Sequence, residues 1–197
     1  MTDAPAWPAA GPVPTDRLRL EPLRVEHALE AVAVLDDVRL HEWTGGAPPT
    51  LDELTATYRR QCAGRSPDGR HGWLNWMLRR RADGRLVGTV QATLSHPDTG
   101  GTEAELAWVI GTGHQGEGYA GEAARAMTGW LRAHGVDALT AHIHPRHQAS
   151  MGVARALGLR PTDRVDDGEV LWRGTVTALP ARTARTPRTT RRPGPPP

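Results

Sequence analysis

No lysine occurs anywhere in the 197 residues, and all 24 basic side chains are arginine. A Walker-type phosphate loop sets a lysine on the nucleotide's phosphates, so that class of nucleotide hydrolase is excluded. Phenylalanine is also absent, and Asn75 is the single asparagine; this bias reads as GC-rich codon usage. Cysteine is limited to Cys62. No internal disulfide can form, and a reducing, cytoplasmic setting is expected. No run reaches the roughly 18 apolar residues of a membrane span. The opening MTDAPAWPAAGPVP lacks the basic patch and apolar stretch of an export signal. Acidic side chains are missing from residues 180–197, which hold five arginines. Without that stretch, 19 basic residues face 22 acidic ones, a charge of −3 against +2 for the whole chain. The body of the chain therefore has no basic surplus for nucleic acid. The arginine-rich end has charge but no aromatics for stacking on bases.

The chain divides into three parts. Residues 1–14, rich in Pro and Ala, read as a flexible segment, and residues 178–197, built of Pro, Arg and Thr, as a disordered tail. Residues 15–177 form one domain. Within it, Leu18 and Leu20 alternate with charges as in a half-buried strand. Val25–Leu35 reads as a helix with Ala28, Leu29, Val32 and Leu35 on one face. Thr50 and Glu53 form a capping box ahead of Leu51, Leu54 and Tyr58. Leu74, Trp76 and Leu78 share one face of a strand. Asp83-Gly84 turns the chain into a returning strand over Leu86–Leu94. A strand at Ala104–Ile110, a helix from about Gly121 to Ala133, a strand at Leu139–His144 and a helix over Gln148–Leu157 follow. In that last helix Ser150, Val153, Ala154 and Leu157 form the stripe. Short strands near Leu159 and at Glu169–Arg173 end the domain. Early hairpins and one late β-α-β unit predict an α/β fold with a mixed sheet and helices on both faces.

Residues 111–121 read GTGHQGEGYAG, five glycines in eleven positions between a strand and a helix. A helix N-terminus offers unpaired N–H groups and the positive end of a dipole. Glycine lets the backbone approach a phosphate. The run also holds G-x-G-x-x-G at Gly111, Gly113 and Gly116, with Asp137 about 20 residues on, as a dinucleotide fold would have. However, Asp137 precedes a strand where that fold has its acid at a strand's end, and the upstream hairpin is foreign to it.

Gln115-Gly116-Glu117-Gly118-Tyr119-Ala120 resembles the Q/R-x-x-G-x-G/A signature of the GNAT acyltransferase superfamily. Glu105–Ile110 looks like that family's splayed fourth strand, and Ala149-Ser150 with Leu157-Gly158-Leu159 resembles its N-x-x-S…lGF segment. Residues 45–54 are similar to the branch that includes the ribosomal-protein N-terminal acetyltransferases. The resemblance spans about residues 15–175. It implies an N-acetyltransferase that uses acetyl-CoA and a primary amine, with no metal and no membrane.

In that frame the backbone of Gln115, Gly116, Glu117, Gly118, Tyr119 and Ala120 holds the cofactor's pyrophosphate, and Val109 and Ile110 pair with its pantetheine arm. Glu105 takes the amine's proton, with Glu103 and Glu42 in reserve. Ser150 donates to the departing sulfur. His147 stands where the family usually has asparagine; it keeps one hydrogen bond toward the pantetheine but lacks an amide's paired geometry. Glu42 and Trp43 face the acceptor, by charge and by stacking. His142 and His144 read as surface positions, since a third ligand at His147, beyond Pro145, sits awkwardly for a metal. A non-catalytic acyl-CoA-binding module on the same fold is the competing function. Either a monomer or a homodimer suits the sequence.

Overall fold

In the computed structural model, residues 7–43 and 45–176 are described. The tail expected at 178–197 lies outside them. Eight strands make one sheet in the order β1-β2-β3-β4-β5-β6-β8-β7. They are β1 Val13–Pro14, β2 Leu18–Pro22, β3 Gly72–Arg80, β4 Leu86–Ser95, β5 Glu103–Ile110, β6 Ala138–Ile143, β7 Arg160–Asp166 and β8 Glu169–Thr175. All neighbours pair antiparallel except β5 and β6, which are parallel. Four helices accompany them: α1 Ala28–Leu35, α2 Leu51–Gln61, α3 Tyr119–Ala133 and α4 Gln148–Ala156.

The strand pleat explains the two cores. Leu74, Trp76 and Leu78 of β3 point into the larger core, against Met127 and Leu131 of α3. Between them Met77 points the other way, into a smaller core with Ala28, Ala31, Leu54 and Tyr58 of α1 and α2. The β3–β4 hairpin turns where expected. Gly84 has φ of +71°, and the Asp83 carboxylate accepts the Arg85 N–H at 3.2 Å and pairs with Arg80. α2 begins on its capping box, with Thr50 N–H donating to Glu53 and Glu53 N–H to Thr50 Oγ1.

Several local expectations change. Leu29 is 69% exposed, while Ala28 and Ala31 face the sheet. The small alanine face lets α1 lie close over Met77 and Leu86, and a 3-10 turn at Val25–His27 resets the helix phase. In α4 it is Met151 and Ala154 that are buried, not the whole stripe containing Ser150. α3 starts at Tyr119, two residues earlier than the sequence suggests. Finally, residues 7–14 are not a loose end. β1 pairs with β2, Trp7 Nε1 donates to the Gly69 carbonyl at 3.0 Å, and buried Trp76 donates to the Gly11 carbonyl at 2.6 Å. A buried indole N–H needs an acceptor, and this segment supplies it.

The feature that creates a site is a fork. β5 and β6 pair only from Glu103↔Ala138 to Glu105↔Thr140 and then separate. α3 makes the crossover between them, and α4 follows β6.

Candidate active site

Beyond the Glu105↔Thr140 pair, a cleft of about 690 Å³ opens between β5 and β6. Its lining includes Leu106–Ile110, the glycine loop, Ala141–His144, the start of α4 and the segment around Trp43. The volume suits a ligand of cofactor size.

The exposed edge of β5 follows from ladder geometry. Gly111 N–H donates to the Val87 carbonyl at 3.0 Å. The register Gly88↔Ile110 sets these two residues opposite each other. Bonded and non-bonded pairs alternate along an antiparallel ladder. Thr89 and Val109 are therefore a bonded pair, and Val109 spends its N–H and carbonyl within the sheet. Trp108 and Ile110 turn theirs to the cleft. Where the sequence suggested backbone contacts from both Val109 and Ile110, the register leaves Trp108 and Ile110 with backbone groups facing the cleft, while Val109 lines it through its side chain. Gln115 Nε2 already donates to the Ile110 carbonyl at 3.0 Å.

The glycine loop forms the next wall. Gly116 and Gly118 have φ of +80° and +78°, a region that side-chain-bearing residues avoid. A Cβ on Gly116 would meet nothing within 4 Å, so its bare backbone faces open space. Gly118 is the N-cap of α3 and gives no side-chain cap, leaving first-turn N–H groups free at the positive end of the dipole. Gln115, Gly116, Gly118, Tyr119 and Ala120 line the cleft; Glu117 does not. The Glu117 carbonyl instead accepts from Arg17 Nη1 at 2.8 Å. Arg17 also binds Glu122 at 2.7 Å and lies over the Tyr119 ring. This brace joins the start of β2 to the loop, and its members stand a hundred residues apart, so no local pattern announces it. An open, glycine-lined, uncapped helix start fits a pyrophosphate.

At the fork, Glu105 has a half-exposed side chain and pairs through Oε1 with His142 Nδ1 at 2.8 Å. His142, read from sequence as a surface position, lines the cleft. Its Nε2 is buried, 3.6 Å from Asp166 Oδ2. Ser150 lines the cleft too, and its Oγ accepts from Trp108 Nε1 at 3.2 Å. Its own hydroxyl proton stays available. Among the described residues, no group of three or more His, Cys, Asp or Glu side chains could hold a metal ion.

The far side is aromatic. Trp43 stacks on His147 at 5.3 Å, tilts against His144 at 5.1 Å, and has Arg146 over its ring. Burial pushes the His147 imidazole below its ordinary pKa, opposed by Glu42 and reinforced by His144. His147 lines the cleft, and one ring face is taken by Trp43. Glu42 also lines it. Asp37 ties this segment to the loop after β5. Its carboxylate holds Arg39 and accepts the Thr112 hydroxyl at 2.6 Å, which sets its pKa far below the carboxylate range. Arg39 and Thr112 line the cleft as well and had no motif to mark them.

Comparison with known proteins supplies the remaining observation. A family model described as acetyltransferase (GNAT) domain matches residues 17–160. No curated protein matches the chain. Among solved structures, an acetyltransferase from Agrobacterium tumefaciens is 25% identical, with a TM-score of 0.63, over 87% of this chain and 98% of that one. A GNAT-family acetyltransferase from Bacillus anthracis is 15% identical with a TM-score of 0.66, over 84% and 99%. RimL, a ribosomal L7/L12 alpha-N-protein acetyltransferase solved with coenzyme A, is 13% identical with a TM-score of 0.66, over 84% and 98%.

Proposed function

Since the chain belongs to the GNAT acetyltransferase family, we propose that it moves an acetyl group from acetyl-CoA to a primary amine of low basicity, a peptide N-terminus or a small amino compound. The observation that carries this reading is the fork between β5 and β6, with Glu105 at its vertex and the uncapped glycine loop beside it. When bound, acetyl-CoA supplies the acetyl group as a thioester, whose C–S bond breaks as the new C–N bond forms.

The chain's own groups divide the work. Backbone N–H groups of Gly116, Gly118, Tyr119 and Ala120 hold the pyrophosphate, while the Gln115 N–H donates to the Thr112 carbonyl at 3.4 Å. Trp108 and Ile110 offer backbone along the pantetheine arm. An amine attacks only when neutral, so its proton passes to the Glu105 carboxylate. Ser150, already oriented by Trp108, keeps its proton and donates a hydrogen bond to the departing thiolate. Glu42 and Trp43 meet the acceptor from the opposite wall. A cytoplasmic setting suits acetyl-CoA and the lone Cys62.

The acceptor class follows from acid–base matching. An α-amine has a reference pKa of about 8, against about 10.4 for lysine. The weaker base is partly neutral near pH 7 and asks less of one carboxylate. It is also the acceptor class that the name of the ribosomal L7/L12 enzyme describes. The test is acetyl transfer to matched peptides. Free N-termini without lysine should be acetylated faster than N-terminally blocked peptides that contain lysine; the reverse order would overturn the acceptor assignment.

A further inference from the structure

We infer that His142 is the positioning residue for the Glu105 carboxylate, with Asp166 facing the other ring nitrogen, so that three side chains line up at the fork. The inference rests on the acetyltransferase reading above and adds the residues that aim its base.

Each member comes from a different strand, and the register brings them together. Glu105 is the last β5 residue paired with β6, opposite Thr140. Side chains alternate along a strand, so the next β6 side chain on the Thr140 face is His142. It therefore stands one step into the fork. Its Nδ1 lies 2.8 Å from Glu105 Oε1. Its Nε2 is buried without a hydrogen-bond partner and faces Asp166 Oδ2 at 3.6 Å, at the end of β7. Other charges near the ring are mostly paired or lie on neighbouring strands. Arg164 holds Asp166 at 2.7 Å, and Arg173 of β8 holds Glu103 at 2.7 Å. Glu169 lies two residues from Leu171, the β8 partner of His142. His144 leans toward Trp43.

The geometry has a chemical consequence. A carboxylate with 52% of its side chain exposed is free to rotate, and a rotating base meets the amine in the wrong orientation most of the time. A proton donated from His142 Nδ1 fixes Oε1 and leaves Oε2 to receive the amine's proton. That step breaks an N–H bond and makes an O–H bond, and the proton then leaves to water. With a single ring proton His142 serves Glu105, and Arg164 serves Asp166.

Asparagine places its amide where Nδ1 stands, so His142→Asn keeps the donor, whereas His142→Ala removes it. Acetyl transfer to a free-N-terminus peptide is measured for both variants, for Glu105→Gln and for Glu105→Gln/His142→Ala. Acetyl-CoA affinity is measured by calorimetry. His142→Ala should lower kcat about tenfold, the worth of one hydrogen bond to a charged group, with affinity kept within about twofold. His142→Asn, which keeps the donor, should recover most of that rate. In the double variant, losing His142 should add nothing to the loss from Glu105→Gln. Equal rates in the Ala and Asn variants, or fully multiplicative losses in the double variant, would overturn the inference. A readout independent of turnover separates this from failure of the acetyltransferase reading. The ¹⁵N resonances of the His142 ring should move in both Glu105→Gln and Asp166→Asn, and unmoved resonances refute the inference even if the protein acetylates normally.

Discussion

Glu105 and Ser150 sit at opposite sides of the fork, one on the strand that ends its pairing there and the other at the start of α4. If Glu105 takes the proton, Glu105→Gln keeps the shape and removes the base. Its kcat should fall by about two to four orders of magnitude while acetyl-CoA affinity is retained. A wild-type kcat and pH–rate profile in that variant would remove Glu105 from the reaction. Both residues stand out as candidates in the sequence because each lies within a segment whose neighbours carry a pattern. His142 does not. Its meaning depends on which β6 residue stands beside Glu105, and a parallel register is set by the length and packing of the crossover helix. Arg17, Asp37 and Thr112 escaped for a similar reason, since each acts on a partner at least 75 residues away.

At the scale of elements, the glycine loop and α3 act together. Gly118 is at φ +78°, and a Cβ placed on it would meet only the Arg17 guanidinium, 3.6 Å away. A valine there is strained by the backbone angle and crowds the Arg17 guanidinium that braces the loop. Gly118→Val should therefore weaken CoA binding by at least tenfold, and calorimetry showing unchanged affinity would place the pyrophosphate elsewhere. The strands and helices themselves were largely readable, because period-2 and period-3.6 patterns record which faces meet the core. The misses came where packing overrode periodicity. α1 buries small alanines in place of Leu29, and the Pro/Ala-rich start is held by Trp7 and by the acceptor it offers Trp76. On β5 the alternation marked the strand, yet which residues offer backbone depended on pairing with β4.

For the molecule as a whole, pH should act on stability in two stages. His27 is buried, its Nδ1 accepts the Arg24 N–H at 3.1 Å, and its Nε2 has no hydrogen-bond partner. Burial holds its pKa below the ordinary 6.5, with Arg24 adding to the effect, and burial does the same for His147. Below 6.5 the unfolded chain takes up protons that the folded chain refuses, so stability falls on acidification from 6.5 down to the lowered folded values. A second loss begins below about 4.5. Burial alone would raise Glu21 and Glu122, but Arg79 and Arg19 hold Glu21 low, and Thr15 and Arg17 hold Glu122 low. These carboxylates stabilise the fold above their unfolded pKa, and that contribution disappears as they are protonated. Urea midpoints measured against pH should show both stages, and in His27→Gln the first should shrink whatever the absolute stability; an undiminished step would assign it to other groups. The order of residues by itself determined the mixed α/β architecture, the capped start of α2, the hairpin and the anion-ready glycine loop, because each depends on contacts or conformations close along the chain. Only the tertiary structure decided that β5 and β6 part after Glu105, that His142 and Asp166 gather there, and that Trp108 offers its backbone in place of Val109. Those outcomes depend on strand register, which arises when distant segments pack and which no local pattern encodes.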